Sequence, residues 1–211
     1  FIDLIIILEF SASRVDARVD DKIPDRVKRE WVRKMRRLEW MGLVAACVLL
    51  AACDKNTPLM DKVAKGDAAA VAALIAQGAD VNAKNSYGWT ALSHAARAGN
   101  AELVKLLLAH GADANARDQS GWTPLMRAAM KGNVEAAQVL LEHGAAVNLQ
   151  EEGGWTALHW AASRGHAELA ALLLKHGADY KLRTQDGMTP LMLAVKESND
   201  KVAQVLQQAG A

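Results

Sequence analysis

Cysteine is nearly absent from this chain. Only two of its 211 residues are cysteines, Cys47 and Cys53, and none follows residue 53. A disulfide framework and a thiolate cage for a metal ion are therefore both excluded for the segment after residue 53. Because neither kind of cross-link is available there, the fold of that segment must be stabilised by packing.

The chain also lacks an excess of charge of either sign. Residues 1–52 carry ten Lys or Arg and eight Asp or Glu, and residues 53–211 carry fifteen and sixteen, which gives +2 and −1. Nucleic-acid-binding domains carry a clear basic excess. We therefore expect no nucleic-acid partner for the larger segment.

No apolar run in the sequence is long enough to cross a membrane as a helix. The run at residues 41–52 has twelve residues, whereas a membrane-spanning helix needs about 20. A run of this length instead matches the apolar core of a secretory signal. It follows the two arginines of "MRRLEW", residues 35–40, and it ends in "LAAC", residues 50–53.

Together these features resemble the signal peptide of a bacterial lipoprotein. The resemblance implies that the signal is removed and that Cys53 is acylated as the first residue of the mature protein. We expect residues 1–34 to be an upstream extension before a start at Met35, residues 35–52 to be the signal peptide, and residues 53–56 to be a short tether. Asp54 resembles an inner-membrane retention signal. The alternative is that "LAAC" occurs by chance in an alanine-rich sequence.

A period of 33 residues extends from residue 57 to the end of the sequence, which is typical of a stacked array. Threonine opens each copy as Thr-Pro-Leu or Thr-Ala-Leu, and threonine is a good N-cap, with proline or alanine suited to the first helical position. A short helix is predicted to follow and to end at a glycine, before a second helix. The threonines are Thr57, Thr90, Thr123, Thr156 and Thr189. The predicted caps of the second helices are Asp67, Asn100, Asn133 and Asn199, with His166 as a weaker member.

The stretch "GWTPLMRAAMKGNVEAAQVLLEHGAAVN", residues 121–148, closely resembles the ankyrin repeat. The resemblance covers residues 55–211 in five copies and implies an all-α solenoid of stacked helix pairs joined by β-hairpin-like loops. It also implies a monomeric module that binds another protein. The predicted domain is residues 57–211, divided at about 57–87, 88–120, 121–153, 154–186 and 187–211.

Nothing in the sequence predicts catalysis, a cofactor or a metal ion. His110, His143 and His176 recur at the 33-residue step just before a glycine, where a histidine favours the negative end of a helix dipole. Helices stacked about 8–10 Å apart cannot bring successive copies to one metal ion, whose ligand bonds are about 2 Å long. No Ser-His-Asp arrangement and no phosphate-binding loop is evident.

The predicted binding site is a set of recurring residues. Trp89, Trp122 and Trp155 recur at an interval of 33 residues. They either pack against the next loop or serve as aromatic anchors for a partner on the concave side. Trp160, Arg127 and His94 occupy a position that the ankyrin family usually exposes to partners. Further candidates near the loop tips are Tyr87, Gln119 and Glu152.

The sequence therefore predicts a protein that is anchored by lipid on the periplasmic side of a bacterial envelope. Asp54 weakly favours the inner membrane. The predicted function is to bind a protein partner of unknown identity. The alternative is a cytosolic interaction protein, such as an immunity factor or a host-directed effector, with a misread N-terminus. An enzyme or metal protein built on the repeats is the least favoured interpretation.

Overall fold

The computed structural model describes residues 56–211 of the chain. The predicted extension, the signal peptide and Cys53 lie outside the described residues. Within residues 56–211 the chain forms ten α-helices and no β-strand, and none of these helices has the length and apolar character to span a bilayer. The helices are α1 (Pro58–Ala64), α2 (Ala68–Ala76), α3 (Ala91–Ala98), α4 (Ala101–Ala109), α5 (Pro124–Lys131), α6 (Val134–Glu142), α7 (Ala157–Arg164), α8 (Ala167–Lys175), α9 (Pro190–Lys196) and α10 (Asp200–Gln208).

The helices form five pairs, and we call α1, α3, α5, α7 and α9 the first helices and the others the second helices. Every first helix begins after its predicted threonine. The threonine hydroxyl accepts a hydrogen bond from the backbone N–H three residues later, at 3.2–3.3 Å. One otherwise unpaired donor at each helix start is satisfied in this way. The predicted N-caps of the first helices are therefore confirmed.

The predicted caps of the second helices divide into two groups. Asp67 and Asn100 accept hydrogen bonds from N–H groups of their own helices, each at 3.0 Å. His166 occupies the N-cap position of α8 but makes no such bond, so the weaker prediction there was wrong. Asn133 and Asn199 also occupy N-cap positions without such a bond, so side-chain capping was wrongly predicted for both. Their side-chain amides instead donate to carbonyl oxygens at the end of the first helix in the preceding repeat, at 2.8–3.0 Å. These two asparagines therefore join repeats rather than cap helices.

The helices stack in two layers, first helices on first helices and second helices on second helices. Leucines at the 33-residue step are buried in the first helices, at Leu92, Leu125 and Leu158. Pairs of buried alanines lie on the same helices and let neighbouring backbones approach closely; they are Ala95, Ala96, Ala128, Ala129, Ala161 and Ala162. Each unit thus buries its apolar face against its neighbour, as an array of repeats requires. The predicted solenoid of stacked helix pairs is confirmed.

Each segment that connects a second helix to the next first helix contains a tight loop near its end; the four loops are at residues 85–89, 118–122, 151–155 and 184–188. In every loop the first residue donates a backbone hydrogen bond to the carbonyl of the last, at 3.0 Å. Neighbouring loops are also joined, because Gln119 N–H donates to the Tyr87 carbonyl at 3.1 Å and Glu152 N–H to the Ser120 carbonyl at 3.1 Å. The loops therefore form a continuous row beside the first helices. We call the surface made by this row and the first helices the loop–helix face.

Candidate protein-binding surface

Two sets of side chains that recur every 33 residues meet on the loop–helix face. Trp89, Trp122 and Trp155 lie at the ends of the loops, one residue before the threonine caps. The backbone N–H of each donates to the side chain four residues earlier, at 3.0 Å. The acceptors are Asn85, Asp118 and Glu151. These bonds hold the three indole rings at equivalent places in successive repeats.

The second set consists of His94, Arg127 and Trp160, which lie in the middle of α3, α5 and α7. Each of these side chains contacts the tryptophan of its own loop. The His94 ring lies 5.0 Å from the Trp89 ring, measured between centroids. Because a first helix packs beside the next one, Arg127 and Trp160 also reach the tryptophan of the preceding repeat.

The two sets therefore interleave into one stack that crosses three repeats. The guanidinium carbon of Arg127 lies 3.9 Å from the Trp89 ring centre and 4.2 Å from the Trp122 ring centre. The Trp160 ring lies 4.5 Å from Trp122 and 4.4 Å from Trp155, with tilted planes. Cation–π and aromatic contacts of this kind each contribute about 0.5–2 kcal/mol. We call these six residues the aromatic stack; all are half-buried.

An ion pair anchors the centre of the aromatic stack. The Arg127 Nη2 group donates to Asp118 Oδ2, and the two side chains are only 13% and 4% exposed. Burial lowers the pKa of Arg127, while the hydrogen bond and charge of Asp118 act in the opposite direction. Sequence reasoning missed Asp118. The sequence did contain a signal. Position 118 is acidic, whereas the equivalent loop residue one repeat earlier is Asn85, and the cation Arg127 follows Asp118 by nine residues.

His94 ends the aromatic stack on one side. Burial lowers the pKa of His94, as do the charges of Arg97 and Arg127, while Asp61 raises it. Its Nε2 atom is buried and has no hydrogen-bond partner among the described residues. The same holds for Arg127 Nε and Trp160 Nε1. Unpaired buried polar atoms cost free energy.

The two candidates at the loop tips differ from each other. The Tyr87 side chain is 61% exposed and is one of the most exposed large apolar side chains of the described residues. Gln119 contributes its side chain to the loop row, because Nε2 donates to the Ser86 carbonyl at 2.6 Å. Tyr87 is therefore free to contact a partner, whereas the Gln119 amide joins two loops. Glu152 is exposed in the next loop.

Two open depressions lie beside the aromatic stack. One has a volume of about 490 Å³ and lies between Tyr87 and Trp89 on the loop side and His94 and Arg97 on the helix side. The other, of about 300 Å³, is lined by His94, Arg97 and Lys131 among others. The loop–helix face thus offers aromatic and cationic side chains around shallow recesses.

Three of the remaining histidines, His110, His143 and His159, have structural contacts. His159 is fully buried; its Nδ1 accepts from the Thr156 N–H at 3.1 Å, and its Nε2 lies 3.2 Å from the Met188 carbonyl oxygen of the next loop. His110 and His143 bond carbonyl oxygens of their own helices through Nδ1, at 2.9 and 2.8 Å, as predicted for helix ends. Among residues 56–211 no three His, Cys, Asp or Glu side chains are placed to share a metal ion.

The comparison with protein families gives one match. A family model described as ankyrin repeats (3 copies) matches residues 59–151 and again residues 144–211. The two matched ranges together include all ten helices except the first residue of α1. No curated protein matches the chain.

Proposed function

Because the chain belongs to the ankyrin-repeat family, we propose that it is a binding scaffold for another protein, held by lipid on Cys53 at the periplasmic face of a bacterial envelope. Ankyrin repeats imply protein–protein interaction, and the proteins that carry them are typically scaffolds without catalytic activity. In this proposal the loop–helix face receives the partner through complementary shape and charge. No covalent chemistry is involved.

The aromatic stack is the observation that supports binding at this face. Tryptophan, tyrosine and arginine are the residue types that most often dominate the energy of protein interfaces. Here they are concentrated on one face, at Trp160, Arg127 and Tyr87, while the second helices contain no aromatic residue. The contacts of Trp160 and Arg127 with the loop tryptophans fix the conformations of these two side chains before a partner arrives, which reduces the entropy lost on binding.

The lipid anchor is supported by the sequence before the domain. A charged start and a twelve-residue apolar core that ends in Leu-Ala-Ala precede Cys53, and α1 begins only five residues later, at Pro58. Several acyl chains on one cysteine, as in the lipoprotein class, give stable attachment, whereas a single chain is marginal. So short a tether would hold the repeats close to the membrane surface.

The anchor is tested by the intact mass of the protein from the membrane fraction of a bacterial host, after expression from Met35. The expected mass is that of residues 53–211 plus acyl chains, and a Cys53→Ser variant should lack it. An unprocessed, unacylated mass in the soluble fraction would reject the anchor and favour the cytosolic interaction protein instead. The binding of a protein partner would not be affected by that outcome.

Partner binding is tested by site-specific photo-cross-linking in cells. A photoreactive amino acid is placed at Tyr87 on the loop–helix face and, as the matched control, at Lys105, which is exposed on the second helix α4. We expect a discrete cross-linked protein band from position 87 only. Equal cross-linking from both positions, or none from position 87, would contradict binding at the loop–helix face.

A further inference from the structure

The charges of the helices differ sharply between the two layers. The five first helices carry six Lys or Arg residues and one acidic residue, Asp61. The five second helices carry three Lys and five acidic residues. Although residues 53–211 have a net charge of only −1, the first-helix side of the loop–helix face is strongly positive, whereas the loop row beside it carries Asp118, Glu151, Glu152 and Asp186 and no Lys or Arg.

The cations of the first helices, apart from Arg127, share a location near the helix ends. Every first helix has a basic residue in its last turn, whereas among the second helices only α8 has one. A cation at a helix C-terminus stabilises the helix dipole. The second helices are of similar length and have the same dipole, so that effect does not explain why the cations are confined to one layer.

Four of these cations are free to meet a ligand, and we call them the basic row: Arg97, Lys131, Arg164 and Lys196. All four are exposed, and no carboxylate of the described residues lies within 4.0 Å of their charged nitrogens. The fifth, Lys62, lies 3.7 Å from Asp67. The basic row thus carries one uncompensated charge in each of four successive repeats.

The basic row adjoins the aromatic stack. The Arg97 guanidinium lies 5.5 Å from the Trp89 ring centre, and Arg97 and Lys131 line the same depression as His94. Arg164 lies one 33-residue step beyond Lys131, and it follows Trp160 by one helical turn. A ligand on the loop–helix face would therefore meet cations along one side and indole edges along the other.

From this arrangement we propose that the partner segment is an extended, acidic stretch of polypeptide lying along the basic row; the inference rests on the proposed function. Stacked helices are about 8–10 Å apart, which sets the distance between neighbouring cations of the basic row. An extended chain advances about 3.3 Å per residue, so carboxylates about three residues apart in the partner would have the same spacing. Between these carboxylates, apolar side chains face the aromatic stack.

Nucleic acid and a bare membrane fit the same surface less well. Single-stranded nucleic acid binds aromatic residues through the faces of the rings, but Trp122 already contacts Arg127 and Trp160, and Trp160 also contacts Trp155. An anionic membrane surface is flat on this scale and does not enter a recess between loops and helices. An acidic peptide is narrow enough to do so.

The test uses the full-length protein held in neutral phosphatidylcholine nanodiscs. The probe is a fluorescent twelve-residue peptide with glutamate at every third position and tyrosine between, and its control has lysine in place of glutamate. Two double variants reverse the same amount of charge: Lys131→Glu with Arg164→Glu in the basic row, and Lys105→Glu with Lys175→Glu on the second helices. All four residues are exposed, so we expect the melting temperatures of both variants to stay close to that of the parent.

We expect the glutamate peptide to bind, with a Kd that rises at least tenfold in the basic-row variant and less than twofold in the second-helix variant. The affinity should also fall as salt is added.

Equal losses in both variants, equal binding of the lysine peptide, or no binding of the glutamate peptide would overturn the inference. Co-sedimentation with phosphatidylglycerol vesicles, in the absence of peptide binding, would assign the row to a membrane surface instead. If cross-linking from position 87 persists in the basic-row variant, the inference fails while the proposed function stands.

Discussion

The guanidinium carbon of Arg127 lies 3.9 Å from the centre of the Trp89 ring, although the two residues belong to consecutive repeats. The contact joins the first helix of one repeat to the loop of the repeat before it. The same guanidinium also pairs with Asp118, whose side chain is only 4% exposed. The same side chain that presents charge to the loop–helix face therefore holds two repeats together.

Replacement of Arg127 by alanine should lower the free energy of unfolding by about 2–4 kcal/mol, because it leaves the Asp118 carboxylate unpaired and removes two cation–π contacts. Asp118→Asn keeps the acceptor for the Trp122 N–H, as Asn85 does one repeat earlier. In that background the cost of Arg127→Ala should be smaller by about 1–3 kcal/mol. Urea unfolding of the two single variants and the double variant measures this coupling; strictly additive losses would show that the ion pair contributes nothing.

Two asparagines at equivalent positions should respond differently to aspartate. Asn100 uses its side-chain oxygen to cap its own helix, so Asn100→Asp should be neutral or slightly stabilising at the helix N-terminus. Asn133 uses its amide to donate to the Ala96 and Arg97 carbonyls. Asn133→Asp removes those donors and places a carboxylate against two carbonyl oxygens, at a cost of about 1–3 kcal/mol. Chemical denaturation of both variants checks the difference, and similar values for the two would contradict it.

Two glycines with the same backbone conformation differ in what surrounds them. Gly154 and Gly187 have φ angles of 78° and 75°, so alanine is strained at both, by about 1–2 kcal/mol. A Cβ atom at Gly154 would lie 2.9 Å from the Gln185 backbone nitrogen, whereas one at Gly187 would meet nothing within 4 Å. Gly154→Ala should therefore lose about a further 1–3 kcal/mol from the contact between loops. If the two variants unfold at the same urea concentration, close packing of the loop row is refuted.

Stability should fall as the pH is lowered below neutrality. Burial lowers the pKa of His159 below its ordinary value of about 6.5, despite the opposing effect of the hydrogen bond to Met188. Since the unfolded chain then binds more protons than the folded one, the stability is fully present above about pH 6.5 and declines below it. Nδ1 accepts from the Thr156 N–H, which also requires the neutral ring. The decline ends once the pH is below the folded-state pKa.

The contribution of His159 is isolated by His159→Met, because methionine occupies the equivalent buried position at Met126. The variant should be less stable at pH 7.5 but should lose less stability than the parent between pH 7.5 and pH 5.5. His94, whose pKa is also lowered, remains in both proteins and gives a common background. An unchanged dependence on pH, measured by urea unfolding at the two values, would show that His159 is not the responsible group.

The sequence by itself determined the repeat and the helices of each unit. The 33-residue period, the threonine caps and the glycines that end α3, α5 and α7 depend on hydrogen bonds and backbone angles within a few residues, so they can be read from the chain. The recurrence of tryptophan also identified three residues of the aromatic stack, and the resemblance to the ankyrin repeat identified His94, Arg127 and Trp160. In contrast, the pattern of asparagines predicted a cap at Asn133 and Asn199 where the structure has a bond between repeats.

Only the tertiary structure decided how one repeat meets the next. Arg127 lies between Trp89 and Trp122 because two first helices pack at a particular register, and no spacing along the chain specifies that register. The contact of Trp160 with both Trp122 and Trp155 follows from the same stacking. Local rules fix the shape of each unit, but which side chains share a face depends on contacts between units that are distant in sequence.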